Sequence, residues 1–419
     1  MDLPYKTLKG MQDIVPPDIF LWQEVEQTAR RIFSSFGFQE IRPPVLEATS
    51  IFSRSIGEQT DIVEKEMYSF IDKGGRNVSL RPEGTASVVR SYVEHNLHTL
   101  PSPQKFYYFG PMFRYERPQS GRLRQFYQIG VEAFADPHAG MDAEVIAMLA
   151  RFLAAIGIRD ISFQINSIGC DRCRPGYREA LLTFFAGKKE DLCPDCIRRY
   201  DRNPLRILDC KVDRCREMRR GAPRITDHIC EACRTHFEKL QELLSVLDVV
   251  FTVNAEMVRG LDYYTRTTFE VAGQGLGAQN AIAAGGRYDR LVAEFGGPDT
   301  PAIGFAIGME RLVGLLKQAA PVSVPAPDAF IVALGEAAAI EGLRIACRLR
   351  DSGRWVELGN AGSSLKSQMR RAGRLAARYA FILGADELRS GEVRWKDLAD
   401  ASQGLVRLSD IEGFLAGRC

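Results

Sequence analysis

The sequence predicts an α+β protein of more than one domain: a strand-rich body flanked by helices, a helical cysteine-rich insertion, and a small α/β domain at the end. Three observations carry that reading. The 419 residues exceed one ordinary core, because single hydrophobic cores stop growing at roughly 250–300 residues. Eight of the ten cysteines crowd between Cys170 and Cys233. A Pro/Ala/Val segment, "AAPVSVPAP", breaks the chain near residue 325. The expected domains are residues 1–325, with an insertion at about 170–240, and residues 326–419.

Taken in order, "DIFLWQEVEQTARRIFSSFGF" carries apolar residues at helical spacing and stops near Gly37. In "QEIRPPVLEATSIF", Pro43 and Pro44 cannot donate ladder bonds, which suits an irregular edge or an interface. "NVSLRPEGTASVVRSYVEHNL" reads as strand, turn and helix, with Thr85 placed to cap the helix. "KFYYFGPMFR" and "RQFYQIGVEAF" read as strands joined by the polar "YERPQSGRL", a long hairpin. "DAEVIAMLARFLAAIGI" reads as an amphipathic helix and "DISFQINSIG" as a strand. The insertion is mostly charged helix. Strand patterns resume in "MVRGLDYYTRTTFEV", "AIAAGGRYDRLVAEFGG" and "TPAIGFAIGMERLVGLLKQ". Beyond the linker, "DAFIVAL", "WVELGN" and "YAFILGA" alternate with helical stretches, as in an α/β domain.

Hydrophobic content of 45% and charged content of 26% describe a soluble globular chain. No run of about eighteen apolar residues exists, so no membrane span is expected. The start "MDLPYKTLKG" lacks an apolar signal segment, which predicts a cytoplasmic protein. Net charge of +2 points to no partner, so any nucleic-acid binding must rest on local basic patches.

Several residues look outward from this frame. Parity along "FYQIGVE" puts Tyr127, Ile129 and Val131 on a core face and Phe126, Gln128, Gly130 and Glu132 on the other. That second set reads as a pocket floor, with the glycine leaving room for a small polar ligand, or as a solvated sheet face. Arg114, Arg117, Arg122 and Arg124 surround the hairpin loop. Their forked donors suit phosphate oxygens, although surface solubility explains many such loops. In "AIGFAIGMERL" a strand enters a helix through Gly304 and Gly308, with Arg311 in the first turn, which fits an anion or ordinary strand–helix packing. Glu83 and Thr85 in "RPEGTA" could receive an ammonium group, or serve only the helix start.

Jointly these segments resemble one family. "FRYERPQSGRLRQFYQIGVEAF" is similar to the second signature motif of class II aminoacyl-tRNA synthetases, "GFAIGMERL" to the third, and "EIRPPVLE" to the first. "VRGLDYYTRTTFE" and "AAGGRYDRL" resemble the two signatures peculiar to histidyl-tRNA synthetases, and the resemblance covers essentially the whole chain. It implies a class II antiparallel sheet flanked by helices, a C-terminal α/β anticodon-binding domain, and a homodimer. It also implies ATP-dependent activation of L-histidine, with Mg²⁺, followed by transfer to the 3′ end of tRNA(His). Residue by residue, it puts Glu83, Thr85 and Gln128 on the amino group and carboxylate, and Glu132, Tyr263 and Tyr264 around the imidazole. Arg114 falls on the α-phosphate and Arg259 opposite it, beside the histidine. Glu116, Phe126 and Arg311 join Arg114 in the ATP site, Phe126 and Arg311 on the two faces of adenine. Arg117 and Gln119, in the hairpin loop, are candidates for the tRNA acceptor end. None of the five histidines falls in a signature.

The insertion carries Cys170/Cys173, Cys193/Cys196 and Cys230/Cys233 at C-x2-C spacing and a wider Cys210/Cys215 pair. Eight thiolates permit two closed tetrahedral zinc sites of undetermined pairing; reduced thiols packed as small apolar residues are the alternative. Histidyl-tRNA synthetases as a family do not require zinc, and the resemblance places the insertion outside the catalytic motifs, near the tRNA acceptor arm. In the last domain no acid occurs from Leu358 to Ala385, and Arg370, Arg374 and Arg378 recur every four residues. Such a stripe suits RNA phosphates or is a solubilising face. Two rival functions stand beside the ligase. One is a non-catalytic histidine-binding regulator of a biosynthetic enzyme, which would lack the last domain and the arginines. The other is a plain RNA-binding module, which leaves the imidazole pocket unexplained.

Overall fold

The computed structural model describes residues 5–57, 60–119, 121–159, 161–258, 261–273, 281–319, 321–322 and 324–418. The chain forms two compact units, Met1–Val322 and Ser323–Cys419.

Eight strands of the first unit make one sheet: β1 (Gln39–Glu40), β2 (Gln104–Phe113), β3 (Gln125–Phe134), β4 (Ile161–Ser167), β5 (Phe251–Val253), β6 (Thr265–Gly273), β7 (Ala281–Arg287) and β8 (Ala302–Gly308). Their spatial order is β1-β2-β3-β8-β7-β6-β4-β5. The six inner strands pair antiparallel; the two short edge strands add parallel. The hairpin expectation holds, with Gln104 opposite Phe134 and Phe113 opposite Gln125. Strand alternation then sends Ile129, Val131, Phe269, Val271, Ile303 and Ile307 to one face. Helices Asp18–Ser35, Ala139–Ala155, Glu231–Val246 and Met309–Ala319 cover that face with Trp22, Phe33, Phe152, Leu240 and Leu312 among others. Each such side chain contributes roughly 1.5–3 kcal/mol on burial.

The first helix ends before Gly37, whose φ of +81° suits a glycine. The carbonyl of Pro43 accepts from buried Arg81 (2.9 Å), which joins the proline segment to the sheet. Three expectations change. Ala139–Ala155 is buried on most of its faces, because the first helix and Glu231–Val246 clasp it against the sheet. Thr85 does not cap its helix: Gly84 is the cap residue, and the Glu83 carboxylate accepts the Thr85 and Ala86 amides (2.7 and 2.9 Å). The insertion, expected to end at about 240, has no break there: the helix Glu231–Val246 runs across that boundary and belongs to both regions. Cys233 lies among the cysteines, while Phe237, Leu240 and Leu244 pack in the main core.

In the second unit Ala329–Ala333 lies between Val356–Leu358 and Tyr379–Leu383, all parallel. Two further strands that the sequence reading left out, Glu392–Asp397 and Gln403–Arg407, extend the sheet antiparallel. Helices Glu336–Asp351 and Leu365–Arg374 complete it. No helix among the described residues is long and apolar enough to cross a membrane.

Candidate active site

The sheet face opposite the helices floors a cavity of about 580 Å³. Its centre is open because the residues there are small: Ala284 on β7 lies beside Ala306 on β8, with Gly308 further along the same strand. Glu83, Thr85, Arg114, Glu116, Phe126, Gln128, Glu132, Tyr263, Tyr264 and Arg311 all line this one cavity. Arg259 lies outside the described residues.

Glu132 sits at the closed end, 1% exposed. Its carboxyl accepts from Thr85 Oγ1 (2.7 Å), from the Tyr108 hydroxyl (3.4 Å) and from the Tyr288 hydroxyl. Burial pushes its pKa up to about 8, with the three hydroxyl donors and the neighbouring Glu83 carboxyl acting in opposite directions on it. Gly304 faces Glu132 across the ladder, and a Cβ there would stand 2.0 Å from its Oε2. Gly304 is thus a mid-strand residue that admits the carboxyl, rather than the strand–helix junction expected. Gly130 likewise leaves room for the buried Tyr108 ring and not for a ligand: its Cβ would meet that ring at 2.1 Å. Tyr263 and Tyr264 stack obliquely at 4.7 Å, and Tyr263 meets Tyr288 edge-on at 5.7 Å. Gln128 Oε1 is buried without a hydrogen-bond partner, an acceptor left for something entering the cavity.

Towards the other end the Arg114 guanidinium lies 5.3 Å from the Phe126 ring, and its Nε donates to the Pro82 carbonyl (2.8 Å). Arg311 donates to the Ala281 carbonyl (2.7 Å) and Glu116 pairs with Arg122 (3.1 Å). Burial raises the Glu66 carboxyl despite nearby Arg114.

Sequence reasoning gave no role to Tyr288, Arg287, Glu310, Glu66 or Glu270. The first two stand in "AAGGRYDRL" and Glu310 in "GFAIGMERL", so their motifs were the available signal; Glu66 had none. Arg287 is fully buried against Asp142, the Asp136 and His138 carbonyls and Asp289, and so fixes the strand end that delivers Tyr288. Burial would raise the Asp142 carboxyl, but Arg287 and His236 outweigh it and hold it below the usual range. Glu310 accepts the Tyr127 amide (2.9 Å), and burial brings its carboxyl up to about 7.

Other expected residues lie elsewhere. Arg117 and Gln119 are exposed on the hairpin loop, outside the cavity lining, with Gln119 bridged to Arg122. In the second unit Arg370 and Arg374 are exposed on one helix, but that helix ends at Arg374. Arg378 stands beyond it, paired with Asp397 (2.8 Å), so the expected three-arginine stripe is shorter by one. The cysteines gather into two groups that could each hold a metal ion: Cys170, Cys173, Cys230 and Cys233 at the root of the insertion, and Cys193, Cys196, Cys210 and Cys215 further out.

The family model for histidyl-tRNA synthetase matches residues 10–312, and that for an anticodon binding domain matches residues 328–418. The histidine–tRNA ligase of Syntrophotalea carbinolica is 52% identical over 97% of this chain and 97% of its own length. That of Thermodesulfovibrio yellowstonii is 51% identical over 98% and 97%. The apo histidyl-tRNA synthetase of S. aureus superposes with a TM-score of 0.83 at 34% identity, covering 98% of this chain and 99% of that one. The fold is a class II synthetase sheet flanked by helices, with an anticodon-binding domain. The chain belongs to the histidyl-tRNA synthetase family.

Proposed function

We propose that the protein is a histidine–tRNA ligase that makes histidyl-adenylate from L-histidine and ATP and passes the histidyl group to the 3′ end of tRNA(His). The observation that carries this reading is the cavity's polarity: a buried carboxyl ringed by hydroxyls at one end, and arginines with an aromatic face at the other. The imidazole lies against the Tyr263 and Tyr264 pair at the Glu132 end of the cavity, with Glu132 as partner to a ring nitrogen. Glu83, Thr85 and the unpaired Gln128 Oε1 receive the ammonium group. The histidine carboxylate is already a nucleophile, so no general base is required. Its oxygen attacks the α-phosphorus, the bond to the β-phosphate breaks, and pyrophosphate leaves. Arg114 and Arg259 are assigned the charge that builds on that phosphorus; such fixed donors typically contribute roughly 3–4 kcal/mol. Phe126 and Arg311 sandwich adenine. Glu66, Glu116 and Glu270 line the same part of the cavity, which suits Mg²⁺ held by one or two carboxylates and the phosphates.

Residues 1–325 are assigned activation and residues 326–419 the anticodon stem, through Arg370 and Arg374; Arg117 and Gln119 are assigned the acceptor end. A cytoplasmic homodimer is part of the same reading. So is zinc in both cysteine groups. A tetrahedral ion with zinc–sulfur bonds of about 2.3 Å needs sulfurs about 3.8 Å apart. The Sγ separations are 3.6, 3.9 and 3.8 Å around the root group and 3.8 Å between Cys193 and Cys210. Histidine-dependent ATP–pyrophosphate exchange tests the proposal. A histidine-binding regulator would give none, and the relatives of about half identity that carry the ligase name weigh against it.

A further inference from the structure

We infer that the outer cysteine group positions one wall of the active-site cavity, and that Lys211, held by it, contacts a substrate phosphate. This rests on the ligase reading and on zinc in that group. Cys210 is buried among its sulfur neighbours, whereas Asp209 and Lys211, on either side of it, are exposed and line the cavity. The segment is fastened at several points. The Cys210 amide donates to the Ile207 carbonyl (3.1 Å), the Cys193 amide to Cys215 Sγ (3.2 Å), and Arg214 to the Leu192 carbonyl (2.7 Å).

The same half of the insertion is tied to the catalytic loops. Arg199 pairs with Asp61 (3.2 Å), and both Arg206 (3.8 Å) and Asn203 (3.2 Å) reach Asp262, the residue before Tyr263. The wall is therefore bracketed by polar ties on one side and by four sulfurs on the other. Among the described residues Lys211 has no ion-pair partner, unlike Arg122 of the same cavity, which pairs with Glu116. An ammonium on a flexible stem is a weak phosphate ligand unless its backbone is placed. A closed metal site one residue away does that placing, together with buried Leu192, Ile207 and Leu208.

The test uses the full chain. Zinc per chain is counted, and ATP–pyrophosphate exchange and aminoacylation are measured for wild type, Lys211→Ala, Lys211→Arg and Cys210→Ser. Lys211→Ala is expected to keep two zinc ions and raise a KM about tenfold, as for one charged hydrogen bond, with kcat less affected. Lys211→Arg should recover most of that loss. A raised KM for ATP in exchange assigns the phosphate to ATP; a loss confined to transfer assigns it to tRNA. Cys210→Ser should drop zinc to one ion per chain and raise the same KM. Normal exchange and transfer in Lys211→Ala overturn the inference, as does Cys210→Ser with one zinc and wild-type KM. No zinc in the wild type overturns the positioning role of the metal, and no exchange in the wild type overturns the ligase reading first.

Discussion

The floor of the active site and the cysteine-rich insertion are both polar regions inside one folded unit, yet they are held in different ways. Glu132, Gln128 and Phe126 stand on a strand whose other face carries Ile129 and Val131 in the largest apolar core of the molecule. Their geometry is a by-product of burial elsewhere. The insertion has a small cluster of its own, in which Tyr177, Leu181, Phe185 and Ile207 share the interior with six of the cysteines. A core of that size is marginal unless it is stapled. Changes in the cavity should therefore alter chemistry while sparing the fold, and changes among the cysteines should loosen structure first.

The largest effect expected is on the insertion. Structural zinc supplies an apparent ~10–16 kcal/mol in small domains that depend on it. Stripping the metal with a strong chelator should expose the insertion, so that limited trypsin cuts within residues 174–229 while the apolar core of the sheet still melts cooperatively. Unchanged proteolysis after verified zinc removal would erase the contrast between the two regions.

Next comes chemistry. Arg114→Ala should slow single-turnover adenylate formation about 100- to 1000-fold, with histidine affinity and thermal stability close to wild type; Arg259→Ala should behave alike. A loss smaller than tenfold, about 1.4 kcal/mol, would remove Arg114 from the reacting phosphate.

Glu132→Gln should raise the KM for histidine about tenfold, since the amide puts N–H donors where the carboxyl offers an acceptor, and a buried polar group left without its partner costs roughly 1–3 kcal/mol. It should also change stability in a pH-dependent way. Burial raises the Glu132 pKa from 4.5 to about 8, so between those values the folded enzyme keeps a proton that the unfolded chain has released. Stability from this group is therefore lost as pH rises through that window, and levels off above it. In urea, apo Glu132→Gln should gain on wild type at pH 8 relative to pH 5. An equal difference at both pH values would mean the carboxyl is ionised throughout.

The smallest effect belongs to the second unit. Arg370→Ala with Arg374→Ala should leave exchange intact and reduce the salt slope of tRNA binding by about 0.7–0.9 per lost phosphate contact. An unchanged slope would make that helix face a solubilising surface.

Much of the cavity was legible beforehand because strand parity is local. Once "FYQIGVE" is a strand, the separation of Ile129 from Gln128 and Glu132 follows from the backbone. The helical features read less well. Thr85 looked like a cap because its type favours caps, but the nearby Glu83 carboxylate took both amides, which freed the hydroxyl for Glu132. Arg378 looked like a third stripe residue because spacing says nothing of where a helix stops. Tyr288 stands in "AAGGRYDRL", but its contact with Glu132 spans 156 positions, and no local pattern shows that pairing.

What the sequence determined by itself was the set of elements, the two faces of the central hairpin, the linker and the family motifs, because each depends on neighbours within one strand or one helical turn. Only the tertiary structure decided which cysteines share a site, that Gly304 and Gly130 yield their space to Glu132 and Tyr108, and that Lys211 meets the cavity. Those depend on which distant segments are packed together, and packing is a property of the whole core that no local pattern encodes.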